Sequence, residues 1–297
     1  MNKILLTGGS GFLGAEIKAY YNSLGVEVTT LGRHENSDIR IDFDDFDIAN
    51  LNLKKYSFDT LIHCAAINET IIKKSIPNTY SMNVTSTRLL TELAINSNIS
   101  NFIYISTFHV YGVGSGVIDE NHSTKPLNDY GLTHLLSEKI VQNVCSLNNI
   151  NYLIVRPTNV YGIPESIKEF NRWTLVPFLF VKQAVEKSEI SLTSSGEQLR
   201  NFVSVQDVIN SFAYLGKESI VNAYGPDTLT IKGFAYKVAK IASEVLGLDV
   251  SVSCINKTIT TNKYELEIKN TFGGKELEKQ RVDGFIMNML LKMNENV

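Results

Sequence analysis

The chain has 297 residues, 43% of them apolar and 20% charged, with a formal net charge of −3. That size suits one large α/β domain, or a domain with a smaller lobe, and leaves ample core to bury. The charge carries no nucleic-acid footprint, the apolar run LVPFLFV (175–181) contains a proline and is far short of a membrane helix, and the apolar stretch of MNKILLTGG is too short for a signal peptide.

KILLTG (3–8) opens the chain as a strand ending in glycine. TGGSGFLG then places Gly8, Gly11 and Gly14 between that strand and a helical pattern that stops at Gly25. In this setting one glycine permits the tight turn, one lets backbone approach a pyrophosphate, and one packs helix on strand. The helix N-terminus offers N–H groups and a positive dipole end to the phosphates. The turn therefore predicts dinucleotide binding. VEVTTLG (26–32) is the next strand, and an acid at its end would bind the adenosine ribose of NAD. Gly32 and Arg33 stand there instead. Gly32 leaves room and Arg33 can pair with a 2′-phosphate, so NADP is the expected cofactor, with NAD the alternative. The competing reading of Arg33 is a solvated surface residue. Asp42 and Phe43 follow where a side chain could reach the adenine.

DTLIHCAA (59–66) is a further strand, residues 79–97 form an amphipathic helix, and NFIYIS (101–106) is a strand again. Residues 130–147 repeat the helical spacing through Leu132, Leu135, Leu136, Ile140, Val141 and Val144, and NYLIVRP (151–157) is another strand. β-branched strands alternating with helices predict a Rossmann-like, doubly wound parallel α/β sheet. After Pro157 the pattern loosens, with loops over 161–174, a helix near 177–187 and a late helix over 231–247. The expected division is a dinucleotide domain over 1–160, with 198–225 returning to it, and a smaller α/β substrate lobe over 161–297. Cys64, Cys145 and Cys254 are scattered and odd in number, which reads as buried free thiols in a reducing cytoplasm.

The glycine turn, HCAA (63–66), Asn83 in SMNVTSTRLL, ISTFHVYG (105–112), YGLTH (130–134), RPTNVYG (156–162) and SSGEQLRNFVSVQDV (194–208) together resemble the extended short-chain dehydrogenases/reductases, of the nucleotide-sugar epimerase, reductase and dehydratase type. The resemblance covers nearly the whole chain. It implies that Tyr130 is the catalytic acid/base, passing a proton to or from a sugar oxygen while hydride moves to or from nicotinamide, and that Thr107 hydrogen-bonds the same oxygen. It places the cofactor on the turn residues Gly8, Gly11, Phe12, Leu13 and Gly14. It adds Cys64, Ala65 and Ala66 through their backbone, then Asn83, Tyr130, His134 and Pro157. Asn159 and Arg200 match positions that hold the diphosphate of a nucleotide sugar, a role that suits a bidentate guanidinium. A surface salt bridge is the alternative for Arg200. His63 reads as structural, because no metal-ligand spacing surrounds it.

Two departures matter. Phe108 and His109 stand where 4,6-dehydratases of this family carry an aspartate–glutamate pair, which argues against that elimination. His109 is then either a proton donor or base near the sugar, or a packed histidine. The second departure is His134. It lies four residues after Tyr130, on the same helical face, where the family has a lysine. A fixed cation at about 5 Å contributes roughly 3 kcal/mol at an effective dielectric near 20, about two pKa units on a phenol. Neutral imidazole supplies a hydrogen bond and no charge; protonated imidazole supplies both. The expectation is that His134 holds the nicotinamide ribose and, when protonated, partly replaces the lysine.

The resulting expectation is a cytoplasmic NADP-dependent reductase of a nucleotide-diphosphate 4-keto-6-deoxy sugar in surface polysaccharide synthesis. A 4-epimerase with bound NAD is the first alternative, and a non-catalytic nucleotide-binding relative the second. The resemblance also implies a homodimer formed through helices 79–97 and 130–148.

Overall fold

The computed structural model describes residues 1–42, 46–68, 71–72, 75–255, 265–272 and 279–295. Phe43, expected near the adenine, lies outside the described residues. In chain order the elements are β1 (Lys3–Thr7), α1 (Phe12–Ser23), β2 (Glu27–Gly32), β3 (Ile39–Arg40), β4 (Thr60–His63), α2 (Ile76–Tyr80), α3 (Ser86–Asn96), β5 (Asn101–Ile105), β6 (Gly116–Ile118), α4 (Asp129–Leu147), β7 (Asn151–Pro157) and β8 (Asn159–Tyr161). They continue with α5 (Val176–Lys187), β9 (Glu189–Leu192), β10 (Leu199–Ser204), α6 (Val205–Asn210), β11 (Ile220–Ala223), β12 (Asp227–Thr230), α7 (Ile231–Leu246), β13 (Ser251–Cys254), β14 (Leu266–Ile268) and α8 (Val282–Asn294).

The chain divides into two compact units, each assembled from three separate segments. The first comprises 1–113, 122–157 and 209–222, and is built on a seven-stranded sheet in the order β11-β7-β5-β4-β1-β2-β3. The ladders among β1 to β5 and β7 are parallel. Ile4 to Leu6, Leu61, Ile62, Phe102, Ile103 and Leu153 to Val155 are fully buried. Continuous apolar runs of this kind belong to strands covered on both faces. The expected doubly wound sheet is thus present. Successive strands run outward in opposite directions from β1, so the switch point falls between β1 and β4. A crevice forms at the carboxyl ends of such strands, and here those ends carry the paired residues Thr7 and His63.

The second expected helix is longer than its periodicity indicates. It starts at Ile76, behind Ser75, whose hydroxyl accepts from Asn78 N–H, and passes through a π-turn over Ser81–Thr85 into α3. One residue more per turn is accommodated there, which shifts the phase of the face beyond it.

The second unit comprises 114–121, 158–208 and 223–297. Its sheet runs β12-β10-β8, with β13 beside β9 and β14 beside β6 in separate pairs. Rings of Phe202 and Phe234 stack at 4.6 Å, and Phe178 meets Phe285 at 5.5 Å, which sets the core under α5, α7 and α8. Residues 209–222 lie with the first unit, whereas 198–208 lie with the second, because β10 pairs with β8 and β12. No helix among the described residues is long and apolar enough to cross a membrane. All three cysteines are free; Cys145 is buried, while Cys64 and Cys254 are half-buried.

Candidate active site

The glycine turn is built as its residue types require. Gly8 has φ +76°, and a Cβ there would sit 2.7 Å from Ala65 N. Gly11 donates to the Gly8 carbonyl at 2.9 Å, and a Cβ on Gly14 would overlap that same carbonyl, so α1 is drawn tight onto the turn. Phe12 and Leu13 form the first turn of α1, the end that presents N–H groups to an anion.

Behind the turn, His63 is a brace. Thr87 Oγ1 donates to the Asn83 carbonyl at 2.6 Å, so it must accept from His63 Nε2–H at 2.9 Å. His63 Nδ1 then accepts from the Thr7 hydroxyl at 2.8 Å, and the Thr7 oxygen receives Cys64 N–H and Ala65 N–H. Burial, with a smaller push from His134, lowers the His63 pKa to about 3, so the imidazole is neutral. Asn83 was expected against the cofactor. It is buried, with Oδ1 accepting from Ile67 N–H at 2.7 Å and Nδ2 donating to Ile67 O and Thr133 Oγ1. Its amide holds the loop after Ala66, and the π-turn is what aims it there. Ala66 itself is exposed, and Pro157 is buried at the end of β7.

α4 carries Tyr130 and His134. Asn128 caps the helix by accepting from Gly131 N–H at 2.9 Å, and Tyr80 donates to Asp129 at 2.9 Å. Gly131 lets α4 close on the turn over Phe108–Tyr111, since a Cβ there would lie 2.6 Å from the His109 carbonyl. The half-buried Tyr130 ring is consequently flanked by two imidazoles, His134 with centroids at 4.7 Å and His109 at 5.6 Å, both edge-on. Thr107, buried, caps that turn by accepting from His109 N–H at 3.3 Å.

The expectation for His134 needs correction. The residue is 2% exposed, Nδ1 pairs with the Tyr104 hydroxyl at 2.8 Å, and Nε2 is buried with no hydrogen-bond partner among the described residues. Burial, helped by His109, pushes its pKa down to about 3. It is neutral across the physiological range and does not replace the lysine's charge. The reason is location: the ring packs against Tyr104 and Tyr130 inside the fold, where a charge would be costly.

Sequence reading missed the network below this site. Arg156 and Glu138 form a buried bidentate pair, Nη2 to Oε2 at 2.7 Å and Nε to Oε1 at 2.9 Å. Ser106 donates to Glu138 at 2.5 Å, Arg156 Nη1 donates to the Tyr111 hydroxyl at 2.8 Å, and Tyr111 donates to Asn222 at 2.8 Å. The segment bearing Thr107 and His109 is thereby tied at both ends to the helix bearing Tyr130.

At the end of β2, Gly32 is buried and Arg33 is exposed, with no ion pair among the described residues. An acid is near the strand after all. Asp38 accepts from Thr30 N–H and Oγ1 at 2.8 and 2.6 Å, which commits that carboxylate oxygen to the strand edge. Asp42 directly precedes the undescribed stretch. These residues fit a dinucleotide on two counts. The turn opens on a helix N-terminus, and the orphaned Nε2 of His134 is a buried polar atom without a partner.

In the second unit, Asn159 Nδ2 donates to Asn201 O at 2.8 Å, which seats it on β10. Arg200 is half-buried, its guanidinium donates to the neighbouring Leu199 O at 2.9 Å, and burial lowers its pKa. No carboxylate lies within ion-pair distance of it among the described residues.

A family model described as NAD dependent epimerase/dehydratase matches residues 4–224. A Methanocaldococcus jannaschii protein named as a UDP-glucose 4-epimerase is 30% identical over 235 residues, covering 74% of this chain and 75% of that one. The dTDP-D-glucose 4,6-dehydratase of Dictyostelium discoideum is 26% identical over 294 residues, covering 87% of this chain and 63% of its own. Among solved structures, the UDP-glucuronic acid 4-epimerase of Bacillus cereus, in complex with UDP-glucuronic acid and NAD, superposes with a TM-score of 0.75 at 21% identity, over 98% of this chain and 99% of that one.

Proposed function

The chain belongs to the NAD dependent epimerase/dehydratase family, and from that premise we propose that it is an NADP-dependent reductase of a nucleotide-diphosphate 4-keto-6-deoxy sugar. The observation that carries this reading is the neutral His134 beside Tyr130. A phenol without a fixed cation on its own helix keeps its proton at neutral pH, and a protonated phenol is the form that donates to a ketone. Epimerisation also needs the phenolate as a base, which this arrangement disfavours.

Gly8, Gly11, Phe12, Leu13 and Gly14 would hold the pyrophosphate, with Cys64 to Ala66 along the nicotinamide side, Arg33 on the 2′-phosphate, and the His134 Nε2 on the nicotinamide ribose. The bound cofactor supplies the two reducing electrons. Tyr130 delivers the proton to the ketone oxygen, and the Thr107 hydroxyl orients that oxygen. Arg200 and Asn159 serve the diphosphate, where an anion would relieve a half-buried guanidinium that has no carboxylate partner among the described residues. Phe108 and His109 lack the carboxylates of a 4,6-dehydratase, despite that relative's similarity.

A second reading, a 4-epimerase holding NAD, is favoured by the names of the relatives. Incubation with a panel of nucleotide-diphosphate 4-keto sugars separates the two: net, stoichiometric NADPH oxidation is expected, and interconversion of 4-hydroxy epimers without net oxidation would overturn the proposal. We also propose a homodimer formed through helices 79–97 and 130–148, the second of which exposes Leu132 and Leu136, in the setting of surface polysaccharide synthesis. Sedimentation should show a dimer that Leu132→Glu converts to monomer; a monomeric parent chain sinks that assignment.

A further inference from the structure

We propose that His109, across the site from α4, supplies the switchable positive charge that supports proton donation by Tyr130. The inference rests on Tyr130 as the donor, and it begins from a deficit. When Tyr130 gives its proton to a substrate oxygen, the O–H bond of the phenol breaks, a new O–H bond forms on the substrate, and a phenolate remains until water reprotonates it. A cation beside that phenolate speeds the step. In α4 the group one turn away is buried, neutral and engaged with Tyr104.

The groups around Tyr130 and His109 can be taken element by element. α4 contributes Tyr130 itself, the neutral His134, and Asp129, which is engaged by Tyr80. The turn after β5 contributes His109, and Tyr111, whose hydroxyl is held between Arg156 and Asn222. The segment from 122 to 127 contributes His122, edge-on to Tyr111 at 6.0 Å, and Lys125, whose carbonyl lies against Gly112 and whose side chain is exposed. Buried Arg156 is neutralised by Glu138. Of these, His109 is the solvent-exposed imidazole whose ring meets the Tyr130 ring. Gly131 makes the approach possible by letting α4 close against the His109 backbone. At 5.6 Å between ring centroids, a charge on His109 lies near enough to act on the phenol. An exposed imidazole changes charge near neutral pH, whereas a lysine would hold its charge well above it. The consequence is a reductase whose proton-donating step is strongest on the acid side of neutrality.

Two measurements test this. In the first, the reduction rate is followed from pH 5.5 to 8.5. The parent enzyme should slow about tenfold or more as the pH rises, His109→Gln should be slow and flat, and His109→Lys should stay fast at pH 8.5. The second needs no substrate. Phenolate absorbance of the cofactor-free protein, taken as the difference from Tyr130→Phe, should show Tyr130 ionising roughly one to two pH units lower in His109→Lys than in His109→Gln. Histidine NMR of the same protein should show the His109 ring titrating near neutrality and the His134 ring silent between pH 5.5 and 8.5. The inference is overturned if His109→Gln retains the parent pH profile, if Tyr130 ionises alike in the lysine and glutamine variants, or if His134 titrates in that range. Failure to reduce any sugar nucleotide would defeat the functional reading and leave the absorbance and NMR arms able to decide this one.

Discussion

Single residues here set the sign of the chemistry. Tyr130→Phe removes only a hydroxyl from a half-buried ring, so the fold and cofactor binding should survive. Loss of a general acid lowers kcat by about a hundredfold or more; a phenylalanine variant that turns over normally would mean that another group gives the proton. Arg33 is tested just as simply. It is exposed and unpaired among the described residues, so Arg33→Ala leaves no buried charge behind. NADPH binding should weaken by about 1.5–3 kcal/mol, the scale of a hydrogen bond to a charged group, while NADH binding scarcely changes. Equal losses for both cofactors would remove the basis for preferring NADP. His134 could be identified from sequence as the odd residue of its motif, but its ionisation could not. Its state is set by burial that no local pattern encodes, helped by His109, while its Nδ1 pairs with Tyr104, thirty positions away in sequence.

At the scale of elements, the Glu138–Arg156 pair decides whether α4 and the 106–111 segment stay in register. Removing one partner strands the other charge in a dry interior, and costs about 3–5 kcal/mol, whereas replacing both with apolar groups is often close to neutral. Glu138→Gln alone should therefore lower the urea midpoint substantially. Glu138→Leu combined with Arg156→Met should recover most of the stability yet keep kcat depressed, because Ser106 and Tyr111 lose the anchor that places Thr107. Full recovery of both properties in the double variant would reduce the pair to a packing element. Elements were legible in sequence where their cause is local. Buried parallel strands read as apolar runs, and the glycine turn reads as a turn. The π-turn at Ser81–Thr85 was not legible, because helical periodicity sums over the extra residue without registering it. Nor was the pairing of β6 with β14, which joins segments about 150 residues apart with no shared local signal.

The whole molecule carries two buried neutral imidazoles, and this couples folding to pH. His63 and His134 have pKa values lowered to about 3, while in the unfolded chain an imidazole titrates near 6.5. Between those values the unfolded state binds protons that the native state refuses, so stability rises with pH across that window. The full contribution is present above about pH 6.5 and is lost progressively toward pH 3. At pH 5 the loss should be on the order of 4 kcal/mol for the two together, a large share of a typical domain's 5–15 kcal/mol. Urea midpoints at pH 7.5, 6 and 5 should fall in that order. A flat profile would mean that neither ring is held neutral in the native state, and about half the expected fall that only one is.

The interleaving of the two units bears on how the chain can be made. A ribosome releases residues in order, but the seven-stranded sheet is not complete until β11 emerges at Ala223. Until then β7 has an open edge, and the Tyr111 hydroxyl lacks Asn222. An uncovered strand edge invites pairing with another chain, and contacts between distant segments form slowly. About three-quarters of the polypeptide must therefore be synthesised before its first unit can close, and the nascent chain passes that interval as a template for aggregation. A fragment ending at Pro157 should accordingly be recovered as aggregate, while one extended past Ala223 has the residues to finish the sheet.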